Sequence, residues 1–348
     1  MQPMRWQTIR ISFRFSERAC MDYRPWGLLD WTLGLTKPRQ WDFVGALGTE
    51  ERSLAAWHWL KNLGGLSTTR LLEVLDRPSR HTARATRLTH ERTQEFLAGG
   101  GVEKDITRKL ELMTEIHRVV AIAHAVEQSA SNSVMFDITS LPKRFFFPLL
   151  RRFEQSTRVR DLIVTYTSPE HYLENDVLSE NAADWLTLPG FPDQSGQTEM
   201  LIVSVGFMVE SLRNHLTTIN KHESVKMLIP FPAPLSILRR TWDSVCYLES
   251  KSAPGKFQNY RLNTADMSGA FQRITQLASE TKMKPAFAPF GPKPTSAAMC
   301  LYAAKHDCSV YYPQPRVYHP DYSRGIREVD GKPAVFAYWI KHDGKKLY

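Results

Sequence analysis

The sequence predicts an α/β protein: a doubly wound, mostly parallel, Rossmann-like sheet behind a mainly helical N-terminal domain. Three observations carry this. From residue 133 onward, short apolar runs alternate with amphipathic runs of helical spacing. Right-handed crossovers place a helix between successive parallel strands, so the alternation implies a sheet covered on both faces. Six of the nine tryptophans (Trp6, Trp26, Trp31, Trp41, Trp57 and Trp59) precede residue 60, whereas uninterrupted apolar runs gather after residue 133. That shift in composition puts a boundary near residue 132. Finally, 348 residues leave room for two domains at roughly 100 to 200 residues each. The expected division is 1–132 and 133–348.

In the first part, Ile9, Ile11, Phe13 and Phe15 alternate with polar residues as one half-buried strand would. Glu50 to Leu63 reads as a helix stopped by Gly64-Gly65, and Ser67 or Thr68 as the cap of a short helix carrying Leu71, Leu72 and Val74. From Val102 to Val126, Ile106, Leu110, Met113, Ile116, Val120 and Ala123 form a helical apolar stripe, either core or a partner-helix surface.

In the second part the expected strands are Val134–Ile138, Leu162–Tyr166, Met200–Val205, Val225–Phe231, Asn259–Leu262, Pro285–Ala288 and Ser309–Tyr312, with Ala334–Ile340 as a last edge strand. The expected helices are Pro142–Phe153, Phe207–Ile219, Pro234–Tyr247, Ala265–Ser279 and Pro294–Ala304. Residues 170–198 and 250–256 read as loops.

The formal net charge of +9, from 45 Lys and Arg against 36 Asp and Glu, favours an anionic partner. No apolar run approaches the roughly 20 residues that cross a bilayer, so membrane spanning is not expected. Cys20, Cys246, Cys300 and Cys308 show no CxxC spacing and suit reduced thiols in a cytoplasm. The sequence contains no P-loop, GxGxxG fingerprint, HExxH or GxSxG motif, and no Cys/His metal signature. Neither a cofactor nor a metal is expected, and catalytic residues remain unassigned.

Ligands of open α/β sheets bind beyond the carboxyl ends of the strands, where loops enter helix N-termini. Two junctions stand out. In Asp137-Ile138-Thr139-Ser140-Leu141-Pro142-Lys143-Arg144, the hydroxyls of Thr139 and Ser140, the helix-initiating Pro142 and the charge of Lys143 suit an anion, as Asp137 would suit a capped turn or an acid–base role. In Phe290-Gly291-Pro292-Lys293-Pro294-Thr295-Ser296, Gly291 allows close approach and the prolines stiffen the presentation of Lys293. Gly206 enters another helix, where it allows either ligand approach or tight packing. Asp266 stands near a further strand end, as a cap or a reacting carboxylate. The segment 311–325 interleaves tyrosines with Arg316, His319 and Arg324, a composition that suits either base stacking with phosphate neutralisation or a loop covering a sheet edge.

The pairing of Asp137-Ile138-Thr139 and Lys143 with Phe290-Gly291-Pro292-Lys293-Pro294, a small-residue helix and Val310-Tyr311-Tyr312 resembles the CARF-type Rossmannoid domains over residues 133–320. Those are ligand-sensing domains of prokaryotic antiviral defence that bind cyclic oligonucleotides. The resemblance implies dimerisation and nucleotide contacts from Thr139, Ser140, Lys143, Gly291, Lys293, Thr295 and Ser296. Members place an effector after the sensor, whereas here the extra segment precedes it. The expected role is sensing of a nucleotide-like anion, passed to the N-terminal domain or to a protein partner docked there. The alternatives are an enzyme acting on a nucleotide or phosphoester through Asp137, Lys143, Asp266 and Lys293, and a scaffold contacting nucleic acid through Arg151-Arg152, Arg158 and Arg160.

Overall fold

In a computed structural model, residues 24–36, 39–173, 178–194, 200–206, 209–233, 235–280, 282 and 284–348 are described. The expected strand around Ile9 to Phe15, together with Trp6, Cys20, Phe207 and Pro234, lies outside them.

Apolar runs bounded by turns become strands, and those at Trp41–Ala46, Ser133–Asp137, Asp161–Thr167, Met200–Ser204 and Ala286–Pro289 are buried on both faces, as in the interior of a parallel sheet. The chain runs β1 (Trp26–Leu28), α1 (Leu29–Gly34), β2 (Trp41–Ala46), α2 (Ala55–Asn62), β3 (Leu66–Leu75), α3 (Thr82–Ala98), β4 (Ile106–Glu111), α4 (Ile116–Gln128), β5 (Ser133–Asp137), α5 (Lys143–Gln155) and β6 (Asp161–Thr167). Strands β2 to β6 are parallel, in the order β4-β3-β2-β5-β6. The winding reverses between β2 and β5, the topological switch point of a doubly wound sheet.

After two short strands, β7 (His171–Tyr172) and β8 (Ser179–Ala182), a second unit repeats the plan. It comprises β9 (Met200–Ser204), α6 (Val209–Asn214), α7 (Leu216–Ile219), β10 (Ser224–Pro230), α8 (Leu235–Ser250), β11 (Phe257–Leu262), α9 (Met267–Ala278), β12 (Ala286–Pro289) and α10 (Lys293–His306). Its strands are parallel in the order β11-β10-β9-β12. In each half, therefore, the first strand lies between the second and the fourth.

The chain then returns to the first half. Strand β13 (Pro315–Tyr318) pairs with β8, β14 (Ser323–Arg324) with β7, and β15 (Glu328–Val329) with β16 (Lys332–Pro333). Strand β17 (Val335–His342) runs antiparallel between β6 and β1, and β18 (Lys345–Lys346) turns back on it. The expected last strand is thus interior to the large sheet, where Val335, Ala337, Tyr338, Trp339 and Ile340 are buried.

The doubly wound α/β class holds, and the first third, which has more helix than strand, also supplies β2, β3 and β4 to the parallel sheet. The expected short helix at Leu71 to Val74 is the central strand β3, because a ladder on each side claims the backbone of this Thr- and Leu-rich run. The expected helix from Val102 to Val126 divides into a 3₁₀ turn (Glu103–Asp105), β4 and α4. Pairing with β3 overrides its helical spacing as far as Glu111. Conversely, α3 is arginine-rich with little apolar periodicity and gives no strong helical pattern in sequence. Because β2 pairs with β5, one sheet runs across residues 132 and 133, where composition alone places a boundary.

Helices α5 and α10, each following the fourth strand of its half, pack against one another. Phe145, Phe146, Phe147 and Phe153 of α5 are fully buried, each contributing about 1.5–3 kcal/mol relative to exposure. Helix α10 is buried from Pro294 to Ala304. Its alanines allow close approach, and the Cys300 thiol donates to the Phe147 carbonyl at 3.4 Å. One apolar core therefore joins both sheets.

Gly206, just beyond β9, meets the loop after β12 so closely that a Cβ would run into the Phe290 carbonyl and stand 2.9 Å from the Gly291 Cα. Gly206→Ala should cost about 1–3 kcal/mol in chemical denaturation. Gly34→Ala, where nothing lies within 4 Å, should change stability little.

Candidate ligand-binding site

The two switch points open onto one cavity of about 560 Å³. The loops after β2 and β5 line it from the first half, and those after β9 and β12 from the second. The halves match in detail. Gly48 stands two residues beyond β2 and Gly206 two beyond β9, and each abuts the loop that follows the fourth strand of its own half. Each of those loops ends in Pro-Lys at the start of a helix: Pro142-Lys143 and Pro292-Lys293.

The lysines cross between the halves. Lys143 Nζ donates to the Gly291 carbonyl at 3.3 Å, and Lys293 Nζ donates to the Thr139 carbonyl at 2.6 Å. Lys143 also lies 5.1 Å from the centre of the Tyr312 ring. Among the described residues no carboxylate forms an ion pair with either ammonium. Burial pushes both amines down to about 7; for Lys293, the nearby Glu50 carboxylate opposes the shift while Arg52 and Lys143 reinforce it.

The remaining expected residues divide into two sets. Ser140, Gly206 and Gly291 line the cavity with the lysines, and the Ser140 hydroxyl has no partner among the described residues. Asp137, Thr139, Thr295, Ser296 and Arg316 do not line it. Asp137 accepts from the Thr139 hydroxyl at 2.7 Å, the Thr165 hydroxyl at 2.9 Å and the Thr139 amide at 3.2 Å. The Thr139 hydroxyl in turn accepts from the Thr167 amide at 2.9 Å. These bonds tie the end of β5 to β6 and leave neither side chain free for a ligand. Burial nevertheless pushes the Asp137 carboxyl up to about 6, against its hydrogen bonds and Lys293. Ser296 donates to the Gly291 carbonyl at 3.3 Å, fixing the loop from behind, and Thr295 is buried in α10. Arg316 is carried by β13 outside the cavity. Asp266 is the N-cap of α9, accepting from the Gly269 amide at 2.7 Å.

Sequence reasoning missed the wall opposite the lysines. Arg52 Nη2 and Nε lie 2.7 and 2.9 Å from Glu50 Oε2, Nε lies 3.0 Å from the Ser323 hydroxyl, and Nη1 donates to the Thr167 carbonyl at 2.9 Å. Ser323 also donates to Glu50 Oε2. Burial opposes the Glu50 charge, but Arg52 and Lys293 outweigh it and hold the carboxyl below its ordinary range. Arg52 lies 5.5 Å from the Tyr166 ring centre, and the Tyr166 and Tyr172 hydroxyls are 3.1 Å apart. Tyr318, His319 and Tyr322 complete this side. The signal lay in the aromatic composition of 311–325, whose Tyr312, Tyr318 and Tyr322 reach the cavity while Tyr311, Arg316 and Arg324 do not. Nothing local marked the Glu50–Arg52 pair as part of a site, because Ser323 and Thr167, which hold it in place, lie more than 100 residues from Arg52.

Among the described residues no group of three or more His, Cys, Asp or Glu could hold a metal ion, and no helix is long and apolar enough to cross a membrane. No family model matches the chain, and no curated protein does. Among solved structures it is similar to a Type III CRISPR defence DNA nuclease activated by cyclic oligoadenylate, at 8% identity and a TM-score of 0.48. That match covers 78% of this chain and 65% of the nuclease chain, under two thirds of its length. A putative universal stress protein from Pseudomonas aeruginosa UCBPP-PA14 matches at 11% identity and a TM-score of 0.26, over 79% of this chain and 93% of its own. The fold class rests on the strand order itself.

The lysines set a pH dependence. The unfolded chain keeps their protons up to the ordinary value of 10.5, whereas the folded amines release them near 7. Between those values the unfolded state binds more protons, so their contribution to stability grows as pH rises from 7 and is lost as pH falls back through it. Denaturation at pH 6 and pH 9 should show the wild type gaining stability relative to a Lys143→Met/Lys293→Met variant at the higher pH. Parallel behaviour of the two proteins would mean that the lysines titrate normally.

Proposed function

We propose that the chain senses a nucleotide-like anion in the cavity between its two Rossmann-like halves. One observation carries this reading: Lys143 and Lys293, one from each half, line a single cavity with one protein acceptor apiece. An ammonium has three donors, and an anion in the cavity would satisfy those the protein leaves over. The tyrosines opposite offer faces for a base, and base–aromatic stacking is worth about 1–3 kcal/mol per base.

Sensing, as distinct from mere binding, follows from the position of the lysines. Each opens a helix, α5 or α10, and these helices pack together at the centre of the shared core. A ligand that drew the ammonium groups off the Gly291 and Thr139 carbonyls would loosen one half from the other and shift that packing. Since two similar plans already meet within one chain, a complete cavity needs no second copy. The CARF-type resemblance of the two junctions places cyclic oligonucleotides, and with them a part in antiviral defence, among the ligands and roles to be tested.

Thermal-shift measurements with pyrophosphate, ATP, the dinucleotide pApA and cyclic oligoadenylates test the reading, since a ligand that binds only the folded state raises the melting temperature. At least one nucleotide should stabilise the wild type, and Lys143→Ala and Lys293→Ala should each abolish the shift. A shift that survives both substitutions would place the ligand elsewhere. Turnover of the stabilising nucleotide would favour an enzyme. Binding only to long nucleic acid, with affinity falling steeply in salt, would favour a scaffold.

A further inference from the structure

The cavity carries one feature that anion binding does not use. Glu50 lines it, charged and within electrostatic reach of Lys293, and spends only one of its two oxygens on hydrogen bonds among the described residues. Oε2 takes the Arg52 guanidinium and the Ser323 hydroxyl, whereas Oε1 has no donor among the described residues. A carboxylate held below its ordinary range only accepts hydrogen bonds. It would repel a phosphate, so its place against the cavity suits a different part of the ligand.

We infer that Glu50 Oε1 accepts a hydrogen bond from an N–H or O–H of the bound nucleotide, either a base amino group or a ribose hydroxyl, and thereby selects ligands that carry that donor. The inference rests on the proposed nucleotide site. Arg52 supplies the reason for the geometry: four bonds to Glu50, Ser323 and Thr167 fix its guanidinium, which in turn fixes the carboxylate before any ligand arrives. Tyr166, whose ring lies 5.5 Å from the Arg52 guanidinium, also lines the cavity.

The test is a set of calorimetric titrations with pApA, which offers a phosphate to each lysine, and three analogues. These lack the 2′-hydroxyls, the single terminal 3′-hydroxyl, or the exocyclic amino groups of both bases. One deletion should weaken binding to the wild type about tenfold or more, the cost of a hydrogen bond to a charged group, and the sensitive analogue identifies the donor. The same deletion should change affinity less than about threefold on Glu50→Gln. The wild-type comparison stands even if that variant folds poorly. If every analogue binds the wild type like pApA, or the sensitive one loses equally on both proteins, Glu50 does not read the ligand, although the nucleotide site survives. If pApA fails to bind the wild type at all, both readings fall together.

Discussion

Two lysine side chains reaching across from one half of the molecule to the carbonyl oxygens of the other form the interaction on which the site depends. Burying an ammonium is costly unless it finds acceptors. Each finds one in the protein, and that acceptor belongs to the opposite half. The bonds from Lys143 to Gly291 and from Lys293 to Thr139 thus hold the halves together while leaving the amines partly unsatisfied. Neighbouring details serve this arrangement. Glycines at 48 and 206 let the first-strand loops close on the fourth-strand loops. Prolines at 142 and 292 start the helices beside the lysines, and the bonds among Asp137, Thr139 and Thr165 fix the loop that offers one of the two acceptors.

The energetics explain why such a strained placement persists. The phenylalanines of α5 and the alanines of α10 build a continuous core beneath the lysines, and its burial supplies the stability from which two poorly satisfied charges can subtract. A protein whose purpose was stability alone would replace the lysines with apolar residues at little cost. Their retention at the mouth of a cavity, with a fixed carboxylate and several tyrosines opposite, is the arrangement expected where a ligand completes the charge balance.

Much of the second half was legible in sequence. Its short apolar runs alternate with runs of helical length, and its strand-to-helix junctions carry their own turn residues. In the first half α2, β5, α5 and β6 were legible as well, but β3, β4 and α3 were not, for identifiable reasons. Leu71, Leu72 and Val74 fit a helical turn as well as a strand, and only the partners on each side decide between them. Ile106 to Leu110 likewise takes its conformation from β3 rather than from its own spacing. The similar plan of the two halves was hidden too, because they share strand order and two Pro-Lys junctions but little else along their length. Of the site, Lys143, Lys293, Ser140, Gly206 and Gly291 were legible as residues at strand ends. Asp137 and Thr139 had the right chemistry in the right loop, yet they satisfy one another. Glu50 and Arg52 became visible only when the chain returned from residue 323 to meet them.

The central claim is that the two lysines give up their carbonyl partners to a bound anion. Side-chain NMR of ¹⁵N-labelled lysines, titrated with and without saturating pApA, measures this directly. In the free protein, the amines of Lys143 and Lys293 should titrate near 7, and in the complex both midpoints should rise by more than one pH unit as the phosphates draw in their protons. Ordinary midpoints in the free protein, or midpoints unmoved by a bound ligand, would contradict the account.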